Sequence, residues 1–456
     1  MRRRYARTLT LFLVIVVLLT ACAGGSGINP SSEATSTFSH LSITPIVPDA
    51  PQQIKIGIVV FLSGGAAEPF GLPAQNGAEL IIDAINRGTA PAPYSQPGIA
   101  GVPITVVYVD EAGGAETQVS EWRRLFEEEQ VDLVIGYSSS SDCLAVAPVA
   151  EENQKLTVIF DCGTSRLFEE RNYRYVFRTN AHQAIDSLAG ARYLLHARPD
   201  LQTIAGINQN YSWGQDSWAH FRDTLQILRP EVQIVDEQFP KLAAGDYRAE
   251  IASLISHKPE AVHTSFWGAD LETFVSQALS GKLNDTSLLL LSVGEYVLPD
   301  LKEHIPAGTI IGAHGTHGIL APPGPLNDWL VRAYQERYQA RPTYPVYHMA
   351  QAILGVKFAY EQAALQRNQW PNTEQVIDAF EYLEFPTPSG VIQLAIGKGH
   401  QAVEPAAYGA AGSYNPTTQE VNILDVMLYT AVCINPPEGV TTEQWIKEGF
   451  PGSNCP

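Results

Sequence analysis

A chain of 456 residues, 45% hydrophobic and 17% charged, has ordinary globular composition and room for two or three domains. Its formal net charge is −19, and no basic stripe follows residue 7. That balance argues against a nucleic-acid partner, because phosphate contacts need clustered Lys and Arg.

The N-terminus reads MRRRYARTLTLFLVIVVLLTACAGG. Arg2, Arg3, Arg4 and Arg7 precede an apolar run over 9–19 that is too short to span a bilayer comfortably, which is the pattern of an export signal over 1–21. It ends in Leu19-Thr20-Ala21-Cys22, which resembles a bacterial lipobox; in such signals the cleaved chain begins at the cysteine, which carries the lipid. The alternative is an ordinary export signal with an incidental cysteine. Residues 22–51 are rich in Ser, Thr, Pro and Gly, lack apolar periodicity and read as a tether.

Along the chain, strands and helices then alternate. Residues 54–61 (IKIGIVVF) form a strand, 72–86 a helix with apolar residues at helical spacing, and 88–101 a loop. A strand at 104–109, a helix at 117–129 and a strand at 131–135 follow. Four serines come next (YSSSS), then an alanine-rich helix and a strand at 156–160. Pro148 falls where that helix should run, so the helix either starts late or is kinked there. The pattern repeats with helices at 184–196, 214–228, 247–255 and 271–279 and strands at 203–207, 232–237, 261–264 and 288–291. Further amphipathic helices cover 326–338 and 347–365. This order specifies an α/β fold of two doubly wound, parallel-sheet modules.

The cysteine count fits export. Beyond Cys22 there remain Cys143, Cys162, Cys433 and Cys455, which allow three pairings. Sequence neighbours, Cys143 with Cys162 and Cys433 with Cys455, are the simplest choice.

The segment 54–86 resembles the opening of the type I periplasmic binding proteins of the leucine/isoleucine/valine branch, the solute receptors of ABC importers. The likeness rests on Ser63-Gly64, Phe70-Gly71, Asn76-Gly77-Ala78 and Ile85-Asn86, in order after a strand. VDLVIGYSSSS, APVAEENQKLTVIFDCGTS and YRYVFRTNAHQAIDSLAGARYLL resemble the next segments of that family, so the resemblance covers roughly 54–430. It implies two lobes joined by three hinge crossings, with the ligand between them. Lobe 1 would comprise 54–179 and 315–385, lobe 2 would comprise 180–314 and 386–430, and 431–456 would be a cysteine-bearing tail. The lobes would rotate about crossings near Thr179, Gly315 and Pro386. An insertion over 90–97, the segment AHGTHG and the tail depart from the family pattern.

The resemblance also implies site residues. Ser140, with Ser141 beside it, falls where the family binds a ligand carboxylate at a helix start, a place with orphan N–H donors. The Cys162 carbonyl would accept from a ligand amine and the Thr164 hydroxyl would donate to its carboxylate. Glu295 would hold the ammonium, with Phe70, Trp213 and Trp267 as aromatic walls. Each has a bland alternative: a helix cap for the serines, core packing for the aromatics, a solvated loop charge for Glu295.

No hydrolase elbow, P-loop, HExxH or EF-hand spacing occurs. His314 and His317 come nearest to metal ligands, but the sequence places no third ligand with them. Neither a metal nor a cofactor is therefore assigned. The expectation is a monomeric, non-enzymatic receptor, exported and lipid-anchored through Cys22 on the outer face of the cytoplasmic membrane, or on the periplasmic side if an outer membrane exists. It would bind an amino acid or related amine or carboxylate and pass it to an ABC transporter permease. A ligand-binding sensor acting in trans and a secreted hydrolase are the alternatives.

Overall fold

The computed structural model describes residues 46–455. The signal segment, Cys22 and residues 22–45 of the tether lie outside the described residues. The last stretch of that tether belongs to the folded body: Val47 is buried beside Ala100 and Ala364, and Ile46 N–H donates to the Ala100 carbonyl at 3.0 Å.

The first lobe begins with β1 (Ile54–Val60), α1 (Leu72–Arg87), β2 (Ile104–Asp110), α2 (Ala115–Glu127), β3 (Leu133–Gly136), α3 (Ser140–Glu152), β4 (Thr157–Ile159), a short α4 (Arg166–Glu169) and β5 (Val176–Arg178). The chain crosses at 179–183 into the second lobe. There follow α5 (Ala184–Ala197), β6 (Thr203–Ile207), α6 (Ser212–Leu228), β7 (Gln233–Gln238), α7 (Arg248–His257), β8 (Ala261–Thr264), α8 (Ala269–Ser280), β9 (Leu288–Leu291), a short α9 (Leu298–Leu301) and β10 (Ile310–Gly312). A second crossing, 313–324, returns to the first lobe. It leads to α10 (Pro325–Tyr338), α11 (Tyr344–Arg367), α12 (Thr373–Phe380), β11 (Glu384–Thr387), β12 (Gly390–Ile396) and β13 (Gln401–Val403). After a third crossing at 404–405 come β14 (Ala406–Asn415), β15 (Glu420–Tyr429), α13 (Ala431–Ile434) and α14 (Thr442–Lys447).

Both sheets share one plan. The parallel strands run β2-β1-β3-β4-β5 in one lobe and β7-β6-β8-β9-β10 in the other; β13 extends the first sheet parallel to β5 and leads to the antiparallel β12 and β11, while β14 and β15 extend the second antiparallel. Central strands such as β1 and β3 are buried almost throughout, as a parallel sheet covered on both faces requires. In this strand order the switch point lies between the first and third strands of each lobe, and ligands bind in the crevice at the strands' carboxyl ends. Four loops therefore face the crevice: those after β1 and β3 in lobe 1, and those after β6 and β8 in lobe 2.

One expectation needs correction. The third crossing is not near Pro386: β11, β12 and β13 belong to the first sheet, where Gln401 pairs with Arg178 of β5. The cause is burial, since Phe385, Ile392 and Leu394 join the lobe 1 core with Phe380 of α12. The cysteine-bearing tail belongs to lobe 2: Cys433, Ile434, Trp445, Ile446 and Phe450 pack into its core with Leu188 of α5 and Phe221 of α6. Of the two alternatives for Pro148, the structure takes the second: α3 starts at Ser140 and carries Pro148 inside it, forgoing one backbone hydrogen bond. Disulfides join Cys143 to Cys162 and Cys433 to Cys455.

Candidate ligand cleft between the lobes

The loop after β1 is fastened from below. The Asp110 carboxylate, at the end of β2, accepts from Leu62 N–H at 2.9 Å, from Ser63 N–H at 3.3 Å and from the Ser63 hydroxyl at 2.5 Å. These donors hold its pKa below the usual carboxylate value despite partial burial. The loop then makes a π-helical turn that presents Phe70 to the other lobe. The Phe70 ring stands edge-on to Trp267, Tyr296 and Tyr344, with centroids 5.3, 5.1 and 5.1 Å away. Phe70 thus sits in the lobe 2 hydrophobic cluster although its chain belongs to lobe 1.

Trp213 and Trp267 close the opposite wall. The Trp213 indole N–H donates to the Ser265 carbonyl at 2.7 Å, and that of Trp267 donates to the Tyr211 hydroxyl at 2.6 Å, so both rings are fixed. The Trp213 ring lies on Gly163 of lobe 1 so closely that a Cβ there would meet it at 2.1 Å. Arg166 and Asp216 pair across the lobes, and Ala269 N–H donates to the Gly65 carbonyl at 3.0 Å. The lobes are shut on each other.

The serine loop is answered in part from within the chain. Glu111, fully buried, accepts from Ser138 N–H at 2.7 and 2.9 Å and from Ser139 N–H at 2.7 Å. Burial and the nearby Asp142 charge push its pKa well above the usual range, while those N–H donors pull it down. Ser140 is buried, and its hydroxyl has no partner. Ser141, beside it, is exposed. Across the gap, Trp213 in the first turn of α6 lies on Gly163, whose neighbour Cys162 is bonded to Cys143 in the first turn of α3, and α3 and α6 touch. Two helix N-termini with their positive dipole ends therefore meet at the cleft.

Other assigned groups have different tasks. The Cys162 carbonyl accepts from Arg178 Nη1 at 2.8 Å, and the Thr164 carbonyl accepts from the same nitrogen at 2.7 Å. The Thr164 hydroxyl donates to Asp216 at 3.4 Å, which makes it an interlobe tie. Glu295 is buried, and its two oxygens accept from Ile319 N–H at 3.1 Å and Tyr344 N–H at 3.0 Å. It caps the start of α11 instead of facing a ligand ammonium. Burial raises its pKa to about 7, against the pull of the Tyr344 and Ile319 N–H donors.

Residues that the sequence reading passed over complete the wall. Tyr296 and Tyr344 flank Phe70, and His314 sits 5.3 Å, ring to ring, from Trp213. An aromatic at the first position of a long helix, as in RPTYPVYH, is the local signal that could have found Tyr344.

This architecture, two α/β lobes shut over an aromatic cleft between strand ends and linked by three crossings, defines a two-lobed binding protein. A model of the family described as periplasmic binding protein matches residues 53–412, and the chain belongs to that family. No curated protein matches the sequence. Among solved structures, a solute-binding protein of an ABC transporter from Rhodopseudomonas palustris BisB5, in complex with 3,4-dihydroxybenzoic acid, is 19% identical with a TM-score of 0.72, covering 84% of this chain and 98% of its own. A leucine binding protein from Thermotoga maritima is 18% identical with a TM-score of 0.65, covering 82% and 98%. An amino acid ABC transporter substrate-binding protein from Pseudomonas fluorescens Pf-5 is 17% identical with a TM-score of 0.70, covering 83% and 96%. The family is extracytoplasmic, and among the described residues no helix is long and apolar enough to cross a membrane.

Proposed function

We propose that the protein is a lipid-anchored solute receptor that captures a small carboxylate with an apolar, preferably aromatic, body and hands it to an ABC importer. One observation carries this reading: the N-termini of α3 and α6 meet at a cleft walled by Phe70, Tyr344, Trp213, Trp267 and Tyr296. The helix ends favour an anion, and the rings favour an apolar body. Ser140, buried with a hydroxyl lacking any partner, is the donor best suited to the carboxylate. Dihydroxybenzoate and hydroxybenzoate, named with two structures of this fold, are ligands of that class.

An amino acid, the expectation from sequence, also needs a partner for its ammonium. Glu295 is committed to backbone N–H groups, so an α-amine is not required here. Cys22 remains the proposed lipid attachment point, holding the receptor outside the cytoplasmic membrane as a single chain. A sensor acting in trans would bind the same ligand but would leave uptake unchanged when deleted.

A thermal-shift screen tests the ligand class, because saturating ligand raises apparent stability by RT ln(1 + [L]/Kd). Benzoate, 4-hydroxybenzoate, phenylalanine and leucine should include at least one stabilising compound, and its uncharged amide should fail. Mass spectrometry of membrane-extracted protein should find an acylated Cys22; a Cys22→Ala chain that stays membrane-bound after signal cleavage would contradict the anchor.

A further inference from the structure

The second crossing carries two histidines for which the sequence offers no third ligand, and the fold supplies the missing groups. His348, near the start of α11, and Asp161, just beyond β4, come to His314 with one ligand atom from each within 4.8 Å of the others. All three side chains are buried, at 0, 5 and 2% exposure for His348, Asp161 and His314. We propose that Asp161, His314 and His348 bind one divalent transition-metal ion of the zinc class where the crossings meet.

The surroundings have the form that such a site needs. His314 Nδ1 is engaged by the buried Asp186 carboxylate, which leaves Nε2 as its ligand atom. That Nε2 is buried and has no hydrogen-bond partner. A ligating imidazole whose other nitrogen is held by a carboxylate is the usual support for a metal-bound histidine. His348 Nε2 lies 3.2 Å from the His314 carbonyl, so it carries the proton and donates to that oxygen. The other nitrogen, Nδ1, lies 2.5 Å from Asp161 Oδ1. At that distance the nitrogen and the carboxylate oxygen must share a cation, either a proton or a metal ion. A tetrahedral site with bonds of about 2.0–2.1 Å separates its ligand atoms by roughly 3.3 Å, so a small spreading of this pair admits an ion.

Charge points the same way. Asp161, Asp186 and Glu404 are all buried in this region, and Glu404 lies on the third crossing with an oxygen that lacks a partner. Buried carboxylates need counter-charge, and a divalent ion supplies it. Two imidazoles and one carboxylate suit zinc, cobalt or nickel, and are a poor set for calcium or magnesium, which prefer oxygen donors.

The ion would join lobe 1, through Asp161 and His348, to His314 at the end of β10. Asp186, just after the first crossing, would anchor His314 to lobe 2. His314 also packs on Trp213 and Tyr344 of the cleft wall, with ring centroids 5.3 and 6.0 Å away. A bound ion would therefore fix the hinge in the shut arrangement described here.

The test uses the full chain in detergent, without a histidine tag, stripped with a chelator and titrated with zinc chloride alone by calorimetry. One ion per chain should bind and raise Tm, and magnesium at the same concentration should do neither. Cobalt added to the stripped protein should give the visible absorption of a tetrahedral N/O site. His348→Asn and His314→Gln should each abolish this absorption and weaken zinc by more than ~100-fold, and Asp186→Asn should weaken it by about 10–100-fold. His257→Ala, at an exposed position, should change nothing. Absence of zinc binding by the wild type would overturn the proposal and leave a proton between Asp161 and His348. Zinc binding that survives both His314→Gln and His348→Asn would overturn it as well. Circular dichroism of each variant separates loss of the site from loss of the fold.

Discussion

Arg166 of lobe 1 and Asp216 of lobe 2 form a two-pronged ion pair across the cleft, Nε to Oδ2 at 2.9 Å and Nη2 to Oδ1 at 2.5 Å. The pair is a latch on the shut form. Arg166 keeps 41% of its side chain exposed, so solvent screens the pair, and its worth is about 1 kcal/mol. Asp216→Asn should open the lobes in solution scattering and weaken ligand about fivefold, with little change in Tm. An unchanged scattering profile and an unchanged Kd would remove the latch role.

Gly163 should be the most sensitive single position for closure. Trp213 occupies the space that a side chain would take, with a Cβ-to-ring distance of 2.1 Å. Gly163→Ala should therefore keep each lobe folded and prevent full closure. Overpacking of ~1–3 kcal/mol corresponds to a loss of roughly tenfold or more in ligand affinity. Calorimetry on the variant checks this directly, and wild-type affinity would mean that the lobes close differently around ligand.

Glu295 should act on stability and its pH dependence, not on an amine. Its folded pKa, about 7, lies above the ordinary value of 4.5, so the folded state holds the proton more tightly than the unfolded one. The stabilising contribution of the protonated form is present below 4.5 and is lost as pH rises through 7. Glu295→Gln lacks this slope, so it should gain on the wild type between pH 4.5 and 7 and run parallel outside that window. Chemical denaturation at several pH values reads the difference. Glu295→Ala should lower Tm, because two buried N–H groups lose their acceptor at ~1–3 kcal/mol each.

The cysteines should be paired and should matter to different parts. Cys143–Cys162 ties the first turn of α3 to the loop after β4, with a separation of 19 residues. Cys433–Cys455 closes the tail on itself over 22 residues. Chain-entropy arguments give ~3 kcal/mol for either loop. Cys433→Ser with Cys455→Ser should lower Tm while leaving ligand affinity intact; Cys143→Ala with Cys162→Ala should lower both. Non-reducing peptide maps that show other pairings would contradict this.

The parallel strands and their helices were legible in the sequence because their signal is local. Strands at 203–207, 261–264 and 288–291 stand within the same bounds in the structure. The antiparallel strands were not legible. β14 reads AAYGAAGSYN, with little intrinsic strand preference, and it is extended because it pairs with β10 and β15. β11 contains Pro386, which sits at the edge of the sheet.

At the cleft, loop position could be read but side-chain partners could not. Phe70, Ser140, Trp213 and Trp267 follow strands at the two switch points, where an open α/β sheet must bind. The tasks of Glu295 and His348 depend on contacts far along the chain. Tyr344 lies 49 residues from Glu295, and Asp161 lies 187 from His348. No periodicity encodes such pairs.

The account's central claim is that a small carboxylate with an apolar body binds between the lobes. Its most direct test is a calorimetric titration of the purified protein with the best acid from the thermal-shift screen and with the matching amide, repeated on Ser140→Ala and Trp213→Ala. The account predicts that the acid binds at one site per chain, that the amide binds at least about tenfold more weakly, and that both variants lose affinity. An amide that binds as tightly as the acid, or a tight acid that neither variant weakens, would contradict it.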